Sequence, residues 1–463
     1  MTKTRLFEST QVETIVKLVG FICILSAPLW VYGLFFPFPS GFPIENHVPT
    51  VLLVLVLVLA LQLVLIQKIS AGDPFTAGVM GVGFLLKLAA VSAFMYMAFR
   101  VYEGTADALH YFGEGSRIAD EFSLTGDWNF PRPYWNTNSI IIINGVLINM
   151  VGPSFQALMI IFATLSFWGQ YLLFRAFCIA FPGGQHKVAA LLMFCFPSIV
   201  FWTSAIGKDA VILFFIGACC YGFAKMRERT DPIALVTVLV SLGGVMLVRP
   251  HVAAMLAIAF GYAYLLSKNR TGLLGMAAKI VGIPLLLLAS VYLVAQARTF
   301  VDLNDIGKTA SVLKRVGGLN QIGGSAFGSS FLYRLVAAPF LLFRPFPWEV
   351  RSPQAAIAGI EALGLVIFVW RRRGFVRSSL RSWRENAFVL FSWVYILEFS
   401  LVFAGAMTNF GMLVRQRVML LPLALMVALS QPLPKVRSLR IPVIRRPELT
   451  PERRHTIHSL RRA

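Results

Sequence analysis

Asp107, Tyr111 and Glu114 stand at i, i+4 and i+7 in the run DALHYFGEGSRIADEF. A helical run would put all three on one face. A carboxylate held there can serve as general base toward an acceptor hydroxyl; a solvated loop acid is the plain alternative. The run lies within residues 100–138, the longest polar passage between the first and last apolar segments. Six acids in that passage (Glu103, Asp107, Glu114, Asp120, Glu121, Asp127) face three arginines (Arg100, Arg117, Arg132), a net of −3 on a chain of net +21. Asp120 and Glu121 form an acidic pair that could stand in as the base or hold a divalent metal. No D-x-D motif is present, so a metal has no motif behind it and no cofactor is otherwise implied.

A second set of residues is mostly cationic. Lys208 and Asp209 close the junction SAIGKD, Arg249 and His251 flank Pro250, and Arg415 and Arg417 lie in TNFGMLVRQR. An arginine offers a planar fork that matches phosphate oxygens, and a lysine offers a point charge. Snorkelling at a membrane boundary is the alternative use of such residues. Arg415 and Arg417 fall within the first turns of the last apolar segment, where charge is functional by default. Lys87 and Glu398 lie mid-segment, where a buried partner is expected.

The elements that position these residues are apolar helices. The chain has 463 residues, is 57% hydrophobic and only 14% charged, and carries long apolar runs throughout, which excludes an ordinary soluble domain. The fold class expected is an all-α polytopic membrane protein. Hydropathy places about twelve transmembrane helices at 15–36, 49–67, 75–99, 154–177, 188–205, 209–226, 233–248, 251–267, 279–297, 355–371, 386–406 and 411–430. Two further stretches, 139–151 and 331–347, are expected to be short, interrupted or re-entrant, and the outer loop to hold an amphipathic helix. The first run is a retained span and not a cleaved leader. No internal repeat is evident.

Lys and Arg set the topology. The runs at 225–229, 267–270 and 371–384 and the tail from Lys435 belong on the cytoplasmic side. Twelve crossings with both termini inside satisfy that rule, and demoting 139–151 and 331–347 is what keeps it satisfied. The transmembrane domain is then 1–431, with outer loops 100–138 and 298–330, and 432–463 is a basic cytoplasmic tail that meets anionic membrane lipid. The Gly- and Ser-rich stretch 316–330 is expected to lie over a substrate groove. The basic runs follow spans, so the positive charge points to lipid and topology, not to nucleic acid. The five cysteines lie in or beside apolar segments without metal-ligand spacing.

Three segments carry a family resemblance. D-x-x-x-Y at Asp107 and Tyr111 resembles the first outer loop of bacterial GT-C glycosyltransferases. P-S-x-x-x-W-x-S-x-x-x-K-D (Pro197 to Asp209) resembles that superfamily's proline-ended span with its Lys-Asp junction, and N-x-G-x-x-x-R-x-R (Asn409 to Arg417), followed by Pro422, resembles its late arginine motif. The acidic loop follows the third expected span here, whereas the family places it after the first. The resemblance implies an enzyme of the bacterial inner membrane that moves a sugar from a polyprenyl-phosphate donor to a glycan or glycolipid acceptor, with inversion of the anomeric carbon and Asp107 as base. Around the substrate the residues themselves lead us to expect Tyr111, Glu114, Lys208, Asp209, Arg249, His251, Arg415 and Arg417. Two other readings stay open. One is an O-antigen-type polysaccharide polymerase or ligase, which would depend on Arg249, His251 and the late arginines Arg415 and Arg417, and not on Asp107. The other is a transporter or flippase of lipid-linked saccharide, which needs no base.

Overall fold

The computed structural model describes residues 47–70, 73–228, 231–266, 338–350, 353–406 and 410–430, with isolated positions elsewhere. The contact pattern divides the chain into Met1–Gln431 and Pro432–Ala463, and the described residues all fall in the first unit. The expected spans 15–36 and 279–297, the loop 298–330 with its stretch 316–330, and the tail 432–463 lie outside the described residues, apart from isolated positions.

The described residues form helices and no strand. In order these are α1 (Val48–Ile69), α2 (Pro74–Tyr96, continued by a π turn, Met97–Val101), α3 (Asp107–Thr125), α4 (Thr137–Val151), α5 (Phe155–Ala180), α6 (His186–Cys195), α7 (Pro197–Trp202), α8 (Lys208–Glu228), α9 (Pro232–Val248), α10 (Pro250–Leu266), α11 (Pro353–Arg371), α12 (Arg373–Arg381), α13 (Ala387–Ala406), α14 (Phe410–Arg417) and α15 (Leu421–Leu429). Among the described residues, four helices are long and apolar enough to cross a membrane: α1, α2 with its π turn, α5 and α8. A fifth span is present if α14 and α15, bent by 54°, count as one, and α4, α6, α9, α10 and part of α13 are shorter apolar helices. Apolar helices in this number make the chain a membrane protein.

The expected span 188–205 is not one helix. It is α6 and α7, broken at Phe196–Pro197. Pro197 has no N–H to continue the ladder, and it holds Phe196 in extended backbone (φ −68°, ψ 123°), so a helix ends and another begins with proline in its first turn. The last expected span, 411–430, breaks likewise before Pro422. The described part of 331–347 is interrupted, as expected: two 3-10 turns, Ala338–Phe343 and Pro347–Glu349. Trp348 is exposed and stacks on Phe346 at 4.9 Å. By contrast, 139–151 falls in one uninterrupted helix, α4.

Helix directions follow from the contacts. Phe388 at the start of α13 meets Phe181, just past α5, and Phe223 near the end of α8, and Asn386 Nδ2 donates to Ala180 O at 3.2 Å. α5 and α8 therefore run parallel, and this end of the bundle carries Arg371, Arg373, Arg377, Arg381 and Arg384, all exposed. Lys208 and Asp209 begin α8 at the opposite end. Both ends of α4 lie there too. Asn136 and Thr137 accept from Lys208, while Gly152 adjoins Thr50 and Phe155 packs edge-on to Phe99 and Phe112. α3 and α4 thus form a hairpin across that end.

Local sequence explains the hairpin. Leu109, Phe112 and Ile118 of α3 are buried, the amphipathic pattern expected of it, and Gly126 closes the helix in the left-handed region (φ +77°). Gly115 lets α3 lie on α4, because a Cβ there would fall 2.7 Å from the Asn144 Cβ. α5 and α8 also approach closely, so that a Cβ on Gly169 would stand 2.7 Å from backbone atoms of Leu213 and Phe214. Small residues of this kind set helix–helix distance where lipid offers no hydrophobic drive. Gly169→Ala is therefore expected to destabilise the protein by about 1–3 kcal/mol. Gly78→Ala in α2, with nothing within 4 Å, should cost nothing. Thermal unfolding of the two purified variants measures the difference.

Candidate functional site

The site is built on Asp209, in the first turn of α8. Its side chain is 4% exposed and joins two arginines. Oδ1 accepts from Arg249 Nη2 at 2.9 Å, and Oδ2 accepts from Arg415 Nε. Arg249 caps the end of α9 and is buried, and its other nitrogen, Nη1, donates to Gln416 Oε1 and lies 3.5 Å from Met419 Sδ. Arg415 Nη1 reaches out of the cluster to Asp107 Oδ2 at 2.7 Å. One carboxylate thus gathers α8, the α9–α10 junction and α14, and α14 in turn meets the start of α3.

Exposure grades outward. The Arg415 side chain is 26% exposed and Asp107 is 57% exposed. Lys208 is half-buried beside them, and its Nζ donates to Asn136 Oδ1 at 2.7 Å and Thr137 Oγ1 at 2.9 Å. Two of its three donors are used by these partners, and among the described residues no other partner takes the third. Asn136 adopts φ +62° and is itself pinned, its N–H donating to Leu247 O at 2.7 Å. Tyr111 is buried next to the cluster: a Cβ on Gly207 would touch both the Tyr111 ring and Arg415 Nη2, at 3.9 and 3.8 Å. Burial, with the Asp107 charge adding to it, pushes the Tyr111 phenol up to about 12, so it stays a neutral O–H. Burial likewise raises the Tyr102 phenol.

Asp107, Tyr111, Lys208, Asp209, Arg249 and Arg415 are therefore brought together from four regions of the chain. Of the remaining expected residues, His251 lies near enough to Arg249 and Lys208 for their charges to act on it, and the others lie apart. Arg415 and Arg417 are two apart on one helix, so they face different ways. Arg417 is fully buried and pairs with Glu361 of α11. His251 sets its ring edge-on to Phe403 at 5.6 Å. Glu114 pairs with Arg117 at 3.1 Å on the exposed side of α3. Asp120 and Glu121 sit 13 and 14 residues beyond Asp107, about 20 Å along the helix axis. There Glu121 accepts from Asn129 at 3.0 Å. They cannot share a base's work with Asp107. No group of three or more His, Cys, Asp or Glu able to hold a metal occurs among the described residues. Gln416, Asn136 and Thr137 were not expected from sequence: Gln416 fills an unspecified position of the late arginine motif, and Asn136 and Thr137 are neutral residues with no motif around them.

The arrangement can bind an anion and accept a proton. Arg415 and Lys208 offer accessible donors, Asp209 and Arg249 fix Arg415 from beneath, and Asp107 is an accessible carboxylate on the same rim. Comparisons with protein families, characterised proteins and solved structures find no match.

The two carboxylates should respond differently to neutralisation. Asp209→Asn leaves the buried Arg249 without a counter-charge and removes one of the two that Arg415 has, with an expected cost of about 3–5 kcal/mol. Asp107→Asn removes an exposed partner and should cost at most about 1 kcal/mol. Denaturant unfolding of the two purified variants checks the order.

Proposed function

We propose that the chain is an integral-membrane glycosyltransferase of GT-C type, which moves a sugar from a polyprenyl-phosphate donor to a lipid-linked or cell-envelope glycan. The observation that carries this is the exposed Asp107 carboxylate, held by Arg415 on the rim of a cationic cluster at one end of an apolar bundle. That end lies opposite the arginine-rich one. Positive charge marks the cytoplasmic side, so the site faces outward from the bacterial inner membrane, with twelve crossings and both termini inside. Arg371, Arg373, Arg377, Arg381 and Arg384 then lie against the inner leaflet, where Arg373 over Trp370 and Arg384 over Trp383 suit anionic headgroups.

The chemistry follows from the ion pairs. Donor phosphate oxygens compete for Arg415 Nη1 and take up the free Lys208 donor. Asp107 then loses its partner and becomes available as a base. The acceptor oxygen attacks the anomeric carbon as the bond to phosphate breaks. The phosphate leaves with the electron pair, neutralised by Arg415 and Lys208, and Asp107 takes the hydroxyl proton. Charge developing on the leaving phosphate meets donors already in place, the largest contribution an enzyme site usually makes. A single displacement inverts the anomeric centre. No step requires a metal.

One observation favours a second reading. Two helix pairs are broken inside the bundle, α6/α7 and α14/α15, and discontinuous helices line the binding sites of transporters. A flippase for lipid-linked saccharide would use the same cations. A polymerase or ligase resting on Arg249, His251 and the late arginines has fewer free donors, since Arg249 and Arg417 are already bonded within the bundle and His251 faces Phe403.

Purified protein supplied with a polyprenyl-phosphate sugar separates them. Asp107→Asn should lower the transfer rate by about 10²–10⁴-fold while keeping its affinity for polyprenyl phosphate. Arg415→Ala should lose both. Full transfer by Asp107→Asn removes the assigned base. Transbilayer movement of the lipid with no transfer by wild type establishes the flippase.

A further inference from the structure

Two buried ionisable side chains take no part in the site, and both act on α7. At its start, Ser198 N donates to Glu361 Oε2 at 2.8 Å. Glu361 Oε1 accepts from Arg417, whose Nη1 also donates to Leu342 O at 3.2 Å and Arg344 O at 3.0 Å. At its end, Lys87 Nζ donates to Thr203 Oγ1 at 2.6 Å and to Ser166 Oγ at 2.7 Å. Ser166 Oγ in turn donates to Thr203 O at 2.6 Å. The six-residue helix is therefore gripped at each end from other helices, α11 on one side and α2 and α5 on the other.

Lys87 is not there to satisfy its partners. It is fully buried, and no carboxylate pairs with it among the described residues. Thr203 Oγ1 already donates to Ile199 O at 2.6 Å, and Ser166 Oγ already has carbonyl acceptors at Ala163 and Thr203. Without Lys87 both hydroxyls would keep an acceptor. Burying an amine is costly, so its return lies elsewhere, in what Thr203 leads to. Residues 203–207 form a wholly buried turn that runs straight into Lys208 and Asp209. On the other side, Arg417 lies two residues beyond Arg415 on α14.

We propose that Lys87 and Glu361 are positioning residues, which clamp the two ends of α7 and so hold Lys208, Asp209 and Arg415 in one anion-binding geometry. This deepens the proposed function and rests on it. A site group displaced by about 1 Å loses on the order of 100-fold in rate, and the clamp sets that displacement to zero.

The test uses the purified full chain with Lys87→Met, Thr203→Val, Thr203→Ser and the Lys87→Met/Thr203→Val double variant. Turnover of a polyprenyl-phosphate sugar, the Kd for polyprenyl monophosphate and the thermal midpoint are measured on each. Lys87→Met should keep the wild-type midpoint, lose on the order of 100-fold in turnover and bind about tenfold more weakly, roughly 1.4 kcal/mol. Thr203→Val should match it, Thr203→Ser should recover turnover relative to Thr203→Val, and the double variant should lose no more than either single one. Wild-type turnover and affinity in Lys87→Met, additive losses, or losses that only track the midpoint would overturn the clamp. If Lys87→Met does not fold, the Thr203→Val and Thr203→Ser pair decides by the same criteria. A wild type that binds polyprenyl phosphate without transferring sugar removes the reaction, and the Kd values then decide the clamp alone. A wild type that does neither overturns both.

Discussion

Asp209 is where a buried negative charge meets two buried positive ones, and the arrangement around it follows from that meeting. A charge taken out of water costs several kcal/mol, offset only by a partner in good geometry. A carboxylate has two oxygens, and here each takes a different arginine. Arg249 comes from the end of α9 and Arg415 from α14, so α8, α9, α10 and α14 converge on one residue. Gln416 completes the coordination of Arg249. What remains of Arg415 points outward, where Asp107 meets it. The buried half of the cluster is thus scaffold, and the exposed half is free to exchange partners with a ligand.

The helices around it show how a bundle with no strand delivers polar groups to one end. Long helices such as α5 and α8 carry the packing, through glycine contacts close enough to exclude any side chain. The broken helices carry the polar work. Where α6 gives way to α7 the backbone leaves the regular ladder, and Glu361 of α11 accepts the freed Ser198 N–H, while Arg417 of α14 donates to the carbonyls of Leu342 and Arg344 in the irregular segment 338–350. The hairpin of α3 and α4 closes the same end and places Asp107 over Arg415, with Asn136 and Thr137 over Lys208.

Much of this was legible in the sequence, because it rests on long-range averages of composition. Runs of apolar residues located α1, α2, α5 and α8. The spacing of Leu109, Phe112 and Ile118 located the buried face of α3, and cations at the ends of apolar runs pointed to Lys208, Arg249 and Arg415. Hydropathy averages over a proline, so 188–205 read as a span although Pro197 divides it. Arg415 and Arg417 read as a pair because they are neighbours, although two residues on a helix turn the second away, toward Glu361. Lys87 was expected to have a buried partner, and its partners are hydroxyls from 79 and 116 residues further along the chain, which no local pattern indicates. Gln416 and Asn136 belong to the same class: one neutral side chain whose role is set entirely by a distant partner.

The central claim is a single displacement at an anomeric carbon, with phosphate leaving toward Arg415 and Lys208. Its most direct test is the anomeric configuration of the product that purified protein forms from a polyprenyl-phosphate sugar of known configuration, read by NMR. The account predicts inversion, with polyprenyl phosphate released in equal amount. A product of retained configuration, or no product from a protein that binds the donor, would contradict it.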